Sequence, residues 1–221
     1  MRNLEFGIGE FYHVFNKGVD GRNITLTAKD SDRFIEGLIE FNSTEPINSL
    51  RDVRSSSHPS HQVTVRRRKK LLVNIHAYCL NPNHFHFILE QLVEGGISKF
   101  MKSVSGAYSY YFNLVNKRKG TLFQGPFRAK YVDSNEYLDY LSVYINLNDK
   151  VHKIVNSSLV RSGWNEYVNP KYKKGICKTD FILGQFKSRK DYENFSLEAL
   201  KLMIEQKEIR PELDNFIFSD E

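Results

Sequence analysis

The chain has 221 residues, of which 40% are hydrophobic; 32 are lysine or arginine, 26 are aspartate or glutamate, and two are cysteine. This apolar content is sufficient for a packed core and excludes wholesale disorder, while two distant cysteines exclude a secreted disulfide framework. No stretch approaches the roughly 18 apolar residues of a membrane span, so we expect a cytoplasmic protein without a membrane partner.

Positive charge is concentrated in two segments. Residues 51–70 hold seven basic residues against one acid, and residues 117–130 hold five basic residues and no acid. From residue 190 onward, nine acids outnumber four basic residues. We therefore expect a polyanion to approach the two basic segments and to avoid the C-terminal tail, although either run could also be ordinary solvated surface.

The first 70 residues predict a strand, a helix and an insertion. The aromatic and β-branched run at 11–15 is typical of a strand, and apolar residues at helical spacing predict a helix near 29–42. Residues 43–70 are rich in serine, proline and charge, which predicts a long, exposed, basic insertion.

The middle of the chain predicts a β-hairpin followed by a long helix. Strand-like runs at 71–80 and 84–90 are separated by Asn81-Pro82-Asn83, which favours a turn. Apolar side chains then recur every three or four residues from 97 to 115, as in an amphipathic helix. The cations and glycine of 117–120 are expected to close that helix.

The remaining pattern predicts an α+β fold. A strand interrupted by Gly125-Pro126 is expected at 123–132. The D-x-x-E spacing of 133–136 predicts a capping box that opens a helix ending near 147. Residues after 148 look loop-like until a final helix at about 196–209. This order of elements predicts an antiparallel β-sheet covered by helices, with a mostly helical C-terminal extension.

The predicted strand at 84–90 carries a pair of histidines. Side chains alternate along a strand, so His84, His86 and Ile88 should share one face while Phe85, Phe87 and Leu89 take the other. Two imidazoles on one face are close enough to bind one metal ion, although a histidine on a sheet can also be purely structural.

A tyrosine stripe follows on the helix that starts near 134. Tyr137, Tyr140, Tyr144 and Asn148 are spaced by three and four residues, so they should line one helix face. Core packing is one interpretation of such a stripe. In the other, a tyrosine attacks a phosphodiester that a metal polarises, and the Asn148 amide oxygen is a hard ligand for Mg²⁺ or Mn²⁺. Geometry alone leaves all three tyrosines as candidates.

Four segments of the sequence carry further motifs: FYHVFNKG at 11–18, AYCLNPNHFH at 77–86, GTLFQGPFRAK at 120–130 and YINLN at 144–148. Together they resemble the IS200-like tyrosine transposase domain, especially its REP-associated branch. The resemblance spans about residues 8–150, in the order of the family's motifs.

The resemblance implies the fold type, the site and the chemistry. It implies a ferredoxin-like sheet of the HUH endonuclease type, with His84, His86 and Asn148 as ligands of a divalent metal and Tyr144 as the nucleophile. The family often has glutamine at the last position, and asparagine is the shorter amide of the REP-associated branch. The implied activity nicks and rejoins single-stranded, hairpin-bearing DNA through a 5′-phosphotyrosine link.

Several expectations about domains and partners complete this interpretation. We expect a transposase domain at 1–150, an extension at 151–221, and a monomer in preference to a homodimer that exchanges its tyrosine helices. The basic residues expected to bind DNA are Lys17, Arg22, Arg66, Arg67, Arg68, Lys117, Arg118, Lys119, Arg128 and Lys130.

Two alternative functions stay open at this point. A domesticated relative that binds single-stranded nucleic acid without cutting it should have lost Tyr144 or a histidine, and neither is lost. A small metal hydrolase should carry several carboxylates at its site, whereas Glu90 is the only acid on the strand face of His84.

Overall fold

A computed structural model describes residues 4–45, 70–172 and 175–209. Residues 46–69 of the predicted basic insertion lie outside these ranges. In chain order the elements are β1 (Phe11–Lys17), α1 (Ala28–Glu40), β2 (Val73–Leu80), β3 (His84–Gln91), α2 (Gly96–Val115), β4 (Arg128–Tyr131), α3 (Asn135–Asn146), α4 (Asn148–Val151), β5 (Arg161–Ser162), α5 (Trp164–Val168), α6 (Asp180–Leu183) and α7 (Arg189–Ile209), with short 3-10 turns at Val19–Gly21 and Ser157–Leu159.

The strands form one antiparallel sheet in the order β4-β1-β3-β2-β5. The predicted hairpin is confirmed, since β2 and β3 pair directly across the Asn81-Pro82-Asn83 turn. On the other side of β3, strand β1 runs in a register that sets Phe15 opposite His86 and Lys17 opposite His84. The histidine pair therefore lies on the central strand, at the end where β1 finishes.

Helices cover both faces of the sheet, which confirms the predicted α+β class. Helices α1 and α2 pack over one face, onto a core that includes Phe85, Phe87 and Leu89. The other face, with Ile88 among its buried residues, is covered by α3, onto which α7 packs. The alternation predicted for β3 is therefore confirmed, because its phenylalanines and its isoleucine lie in different cores.

The segment after Asn148 contains more regular structure than its sequence predicts. Short strand β5 extends the sheet beside β2, and the last helix starts at Arg189, well before the expected 196. Ser188 explains the early start, because its hydroxyl accepts a hydrogen bond from the Asp191 backbone N–H at 3.1 Å. The segment shares the second core through Tyr192 and Met203, while the proposed boundary at residue 150 stays a prediction.

One expected boundary is wrong in detail and two are confirmed. The cap of α3 is Ser134, whose hydroxyl accepts the Tyr137 N–H, and not the expected box that starts one residue earlier. Helix α2 ends at Val115, where its apolar pattern ends, and Lys117 takes the left-handed conformation (φ 51°) that is more usual for glycine. Strand β4 lies after the expected interruption, because Gly125, at φ 70°, turns the chain before Pro126.

Candidate active site

The two histidines of β3 are buried and each is held through its Nδ1 atom. His84 Nδ1 lies 2.7 Å from the side-chain oxygen of Asn83, an acceptor, so this nitrogen carries the proton and donates it. His86 Nδ1 lies 2.9 Å from Nε2 of His13 on β1. Hydrogen bonds at Nδ1 orient a ring so that its Nε2 can bind a metal, as outer partners of metal-bound histidines commonly do.

Both imidazoles of the His13–His86 contact are neutral at ordinary pH. Burial, together with the nearby positive charge of Lys130, lowers the pKa of His13 to about 3. Burial also lowers the pKa of His86 well below its ordinary value. A neutral histidine keeps a lone pair, which is the form that binds a metal ion.

Tyr144 is the stripe tyrosine that reaches the histidines. It lies on α3 with its side chain 7% exposed, and its ring meets the His86 ring edge-on at a centroid distance of 5.7 Å. Its hydroxyl lies 3.4 Å from Nε2 of His152. Tyr137 is 37% exposed, and Tyr140 packs at the margin of the second core. The described ring contacts therefore bring Tyr144 to the histidine pair.

Asn148 lies beside His84, but it is not on the same continuous helix as Tyr144. Helix α3 ends at Asn146, the chain bends at Leu147 (φ −114°, ψ 21°), and Asn148 opens α4. The bend places the Asn148 side-chain oxygen 3.0 Å from His84 Nε2. The expected single face over 137–148 is therefore interrupted, although the two side chains still reach the same site.

These side chains fit a hard divalent cation. Within the part of the chain that the structure describes, no group of three or more His, Cys, Asp or Glu side chains could hold a metal ion. Any such site must therefore include a side chain of another type, and the amide oxygen of Asn148 converges with His84 Nε2. Imidazole and amide ligands suit Mn²⁺, and oxygen ligands suit Mg²⁺.

Four residues of the site were not predicted. Alternation along β1 could have predicted the position of His13, because it lies between Tyr12 and Val14 and therefore projects to the opposite face of the sheet. His152 continues the four-residue spacing from Asn148, and Asn81 belongs to the hairpin turn. The Nζ atom of Lys207 on α7 lies 2.7 Å from His152 Nδ1. No sequence pattern predicts this contact, because the two residues are 55 positions apart.

Three predicted DNA-binding residues lie on the histidine face of the sheet. The β1–β4 register sets Arg128 opposite Phe15 and Lys130 opposite His13, and directly paired residues project to the same face. Lys17 shares this face because it alternates with Phe15 along β1. Lys17 and Arg128 also line one small recess, together with Phe15. This edge of the sheet is the basic border of the site.

The other basic residues lie around the end of β1 or outside the described ranges. The segment after α2 runs beside this strand end, where the Val19 N–H donates to the Leu122 carbonyl at 2.9 Å. Arg118 braces the segment by donating to Asn113 at 2.7 Å. The neighbouring expected DNA contacts are Arg22, Lys117 and Lys119, all exposed. Arg66, Arg67 and Arg68 lie outside the described residues.

No helix among the described residues is both long enough and apolar enough to cross a membrane.

Comparison with known proteins agrees with the motifs. A family model described as "Transposase IS200 like" matches residues 56–148. No curated protein matches the sequence. A solved structure of a REP-associated tyrosine transposase bound to a REP hairpin is similar to this chain, with a TM-score of 0.50 and 18% identity, covering 81% of this chain and 89% of that chain. At this identity the likeness shows a shared fold. The chain is therefore similar to the IS200-like transposase family over residues 56–148, and it shares the fold of the REP-associated enzyme.

Proposed function

We propose that this protein is a transposase of the REP-associated branch, which cleaves and rejoins single-stranded, hairpin-bearing DNA with Tyr144 as its nucleophile. One observation carries the proposal: the Tyr144 ring abuts His86 at a centroid distance of 5.7 Å, on a face that also presents basic side chains. The hairpin is proposed because the similar solved structure holds one.

In the proposed reaction, the Tyr144 hydroxyl oxygen forms a bond to phosphorus while the bond from phosphorus to the upstream 3′-oxygen breaks. The phenol loses its proton and the departing oxygen gains one, so the products are a 5′-phosphotyrosine link and a free 3′-hydroxyl. Because the covalent link conserves the phosphodiester bond, attack by another 3′-hydroxyl reverses the step and joins strands.

His84, His86 and Asn148 are the proposed ligands of Mg²⁺ or Mn²⁺, which when bound supplies positive charge that polarises the scissile phosphate. The proposed ligand set is supported by the distance of 3.0 Å between Nε2 of His84 and the side-chain oxygen of Asn148. The proposed tautomer of His86 donates its Nδ1 proton to Nε2 of His13, 2.9 Å away, so that Nε2 of His86 is the metal-binding nitrogen.

His152 is proposed to orient and stabilise the nucleophile. Lys207 carries only donors, so its contact with His152 Nδ1 makes that nitrogen an acceptor and puts the proton of the neutral ring on Nε2. This N–H faces the Tyr144 oxygen at 3.4 Å. The oxygen develops negative charge as its proton leaves, and a prepositioned donor stabilises that charge.

The DNA is proposed to lie along the basic edge of the sheet. Lys17, Arg128 and Lys130 share the face of the histidines, so a strand that contacts them can deliver a phosphate to Tyr144. Arg22 and Lys117–Lys119, beyond the end of β1, are proposed contacts for the foot of a hairpin. Phosphate contacts of this kind make the affinity decrease with salt concentration.

A monomer is the proposed state, with residues 151–221 as an extension of the transposase domain. The support is that α7 packs on α3, the helix of Tyr144, through a shared core that includes Tyr192. Light scattering of the DNA-free protein should give the mass of one chain, 25.8 kDa. A mass of twice that value would refute the monomer.

The decisive experiment is covalent capture. Purified protein, Mn²⁺ and a hairpin-bearing single strand labelled at its 3′ end should give a labelled protein band on a denaturing gel. A strand labelled at its 5′ end should give only a shorter free fragment, because Tyr144 is retained on the downstream side of the nick.

Matched phenylalanine variants test the nucleophile. Tyr144→Phe should abolish the labelled band and retain DNA binding, whereas Tyr140→Phe and Tyr137→Phe should still form it. An adduct that persists in Tyr144→Phe contradicts the assignment. DNA binding by the unmodified protein without any adduct would support the non-catalytic alternative.

A further inference from the structure

Asn81 is a buried amide at the centre of the site that the proposed mechanism does not use. It begins the turn between β2 and β3, where its backbone N–H donates to the His84 carbonyl at 2.8 Å. Its side chain has no solvent exposure. The side-chain nitrogen lies 2.6 Å from the side-chain oxygen of Asn148 and 2.8 Å from Nε2 of His84.

Asn81 thus meets two atoms that both present lone pairs. Nε2 of His84 is an acceptor in the neutral ring, because its Nδ1 donates to Asn83. The side-chain oxygen of Asn148 is also an acceptor, and the two acceptors are 3.0 Å apart. Two acceptors this close do not stabilise each other, so a positive or proton-donating group must lie between them. The amide NH₂ of Asn81 has that role when no cation is bound.

We propose that Asn81 is a fourth ligand of the divalent cation, which it binds through its side-chain oxygen after a half-turn of the amide. The inference rests on the proposed metal centre. The half-turn exchanges nitrogen for oxygen at nearly the same position, so three ligand atoms would be separated by 2.6, 2.8 and 3.0 Å. Neighbouring ligands of an octahedral site with bonds of about 2.1 Å are about 3.0 Å apart, which matches this set.

The ligand set also suits the reaction. Two imidazoles and two amides are all neutral, so they leave the full charge of the cation for the anionic phosphate of the DNA. A carboxylate at the same place would cancel part of that charge. Asn81 therefore adds an oxygen ligand, which hard cations prefer, without weakening the attraction for the substrate.

Calorimetric titration of metal-free protein with Mn²⁺ alone, without DNA, tests the inference. Unmodified protein should bind one ion at this site, and His84→Ala should abolish that binding. Asn81→Leu, which removes the amide at similar volume, should weaken binding about tenfold or more. Asn81→Asp should bind at least as tightly as the unmodified protein, because a carboxylate can ligate the ion. Asn135→Asp, at an exposed position on α3, controls for added negative charge.

The Asn81→Asp variant distinguishes a role of Asn81 as a metal ligand from a role as a hydrogen-bond donor. If Asn81 only donates a hydrogen bond that holds Asn148, aspartate cannot replace it, and both Asn81 variants should lose affinity together. That result, or unchanged affinity in Asn81→Leu, overturns the inference. Because a substitution at a buried position can prevent folding, a crystal structure of the unmodified Mn²⁺-loaded protein gives a second measurement. An Asn81 side-chain oxygen within about 2.2 Å of the ion supports ligation, and a separation longer than about 3 Å refutes it.

The two proposals fail in different ways. Mn²⁺ binding with the expected variant pattern but no covalent DNA adduct would leave Asn81 as a ligand and refute the proposed transposase chemistry. A covalent adduct together with unchanged Mn²⁺ affinity in Asn81→Leu would support the transposase chemistry and refute Asn81 as a ligand. Absence of Mn²⁺ binding by the unmodified protein would refute both the metal centre and the role of Asn81.

Discussion

The hydroxyl of Tyr192 joins the C-terminal helix to the helix of the proposed nucleophile, so Tyr192→Phe should lower stability measurably. Tyr192 is fully buried on α7, and burial raises the pKa of its phenol to about 12. Its oxygen lies 3.0 Å from the Ser142 hydroxyl and 3.2 Å from the side-chain nitrogen of Asn146, both on α3. The substitution removes both hydrogen bonds and leaves the ring in place.

The magnitude follows from what each partner retains. Ser142 keeps its donation to the Asp139 carbonyl at 2.7 Å, so its hydroxyl remains satisfied. Asn146 loses the acceptor of its amide nitrogen, and its side-chain oxygen already has no hydrogen-bond partner within the described residues. One stranded buried donor and the lost bonds should cost about 2 kcal/mol in the free energy of unfolding. For a chain of this length, that lowers the Tm by about 4–8 °C.

Thermal melting followed by circular dichroism, together with urea denaturation, measures this effect. Tyr110→Phe is the matched control, because Tyr110 is 73% exposed on α2 and should change the Tm by less than about 1 °C. A Tm of Tyr192→Phe equal to that of the control would refute the view that this buried hydroxyl helps to attach α7 to α3.

Three further predictions concern the site, the DNA and the pH dependence. His152→Ala should slow formation of the covalent adduct about tenfold or more at unchanged DNA affinity, as measured by quenched time points; an unchanged rate would argue against a contact with the nucleophile. Lys130→Ala should reduce the slope of log affinity against log salt concentration by about 0.7, whereas Lys190→Ala on α7 should leave the slope unchanged. Equal slopes for the two variants would show that Lys130 does not contact the DNA. Burial lowers the pKa of His76 despite its hydrogen bond to Glu90. Below about pH 6.5 the unfolded chain therefore binds a proton that the folded chain does not, and the free energy of unfolding should decrease as the pH falls. His76→Gln should reduce this loss in thermal melts between pH 7 and 5, and an identical loss would contradict the assignment.

Local patterns predicted most of the elements and the two faces of the central strand. Alternation along β3 separates His84 and His86 from Phe85 and Phe87 because the pleat of any strand enforces it. Helical spacing predicts α2 for a similarly local reason. The motifs also placed Tyr144 and Asn148 near each other, since four residues is one helical turn.

Contacts between distant segments required the tertiary structure. The bend at Leu147, which aims Asn148 at His84, depends on packing that no local propensity encodes. The pairing of β1 with β3 sets His13 beside His86 across 73 residues. Lys207 reaches His152 only because α7 packs along α3 and α4.

The sequence by itself therefore determined the chemical groups of this protein and the faces of the strands and helices that present them, because alternation and helical periodicity act over a few residues. Only the tertiary structure decided which of these groups meet. Long-range strand register and the burial of α7 bring together atoms that are far apart in the chain, and hydrogen bonding and cation binding operate only over about 3 Å.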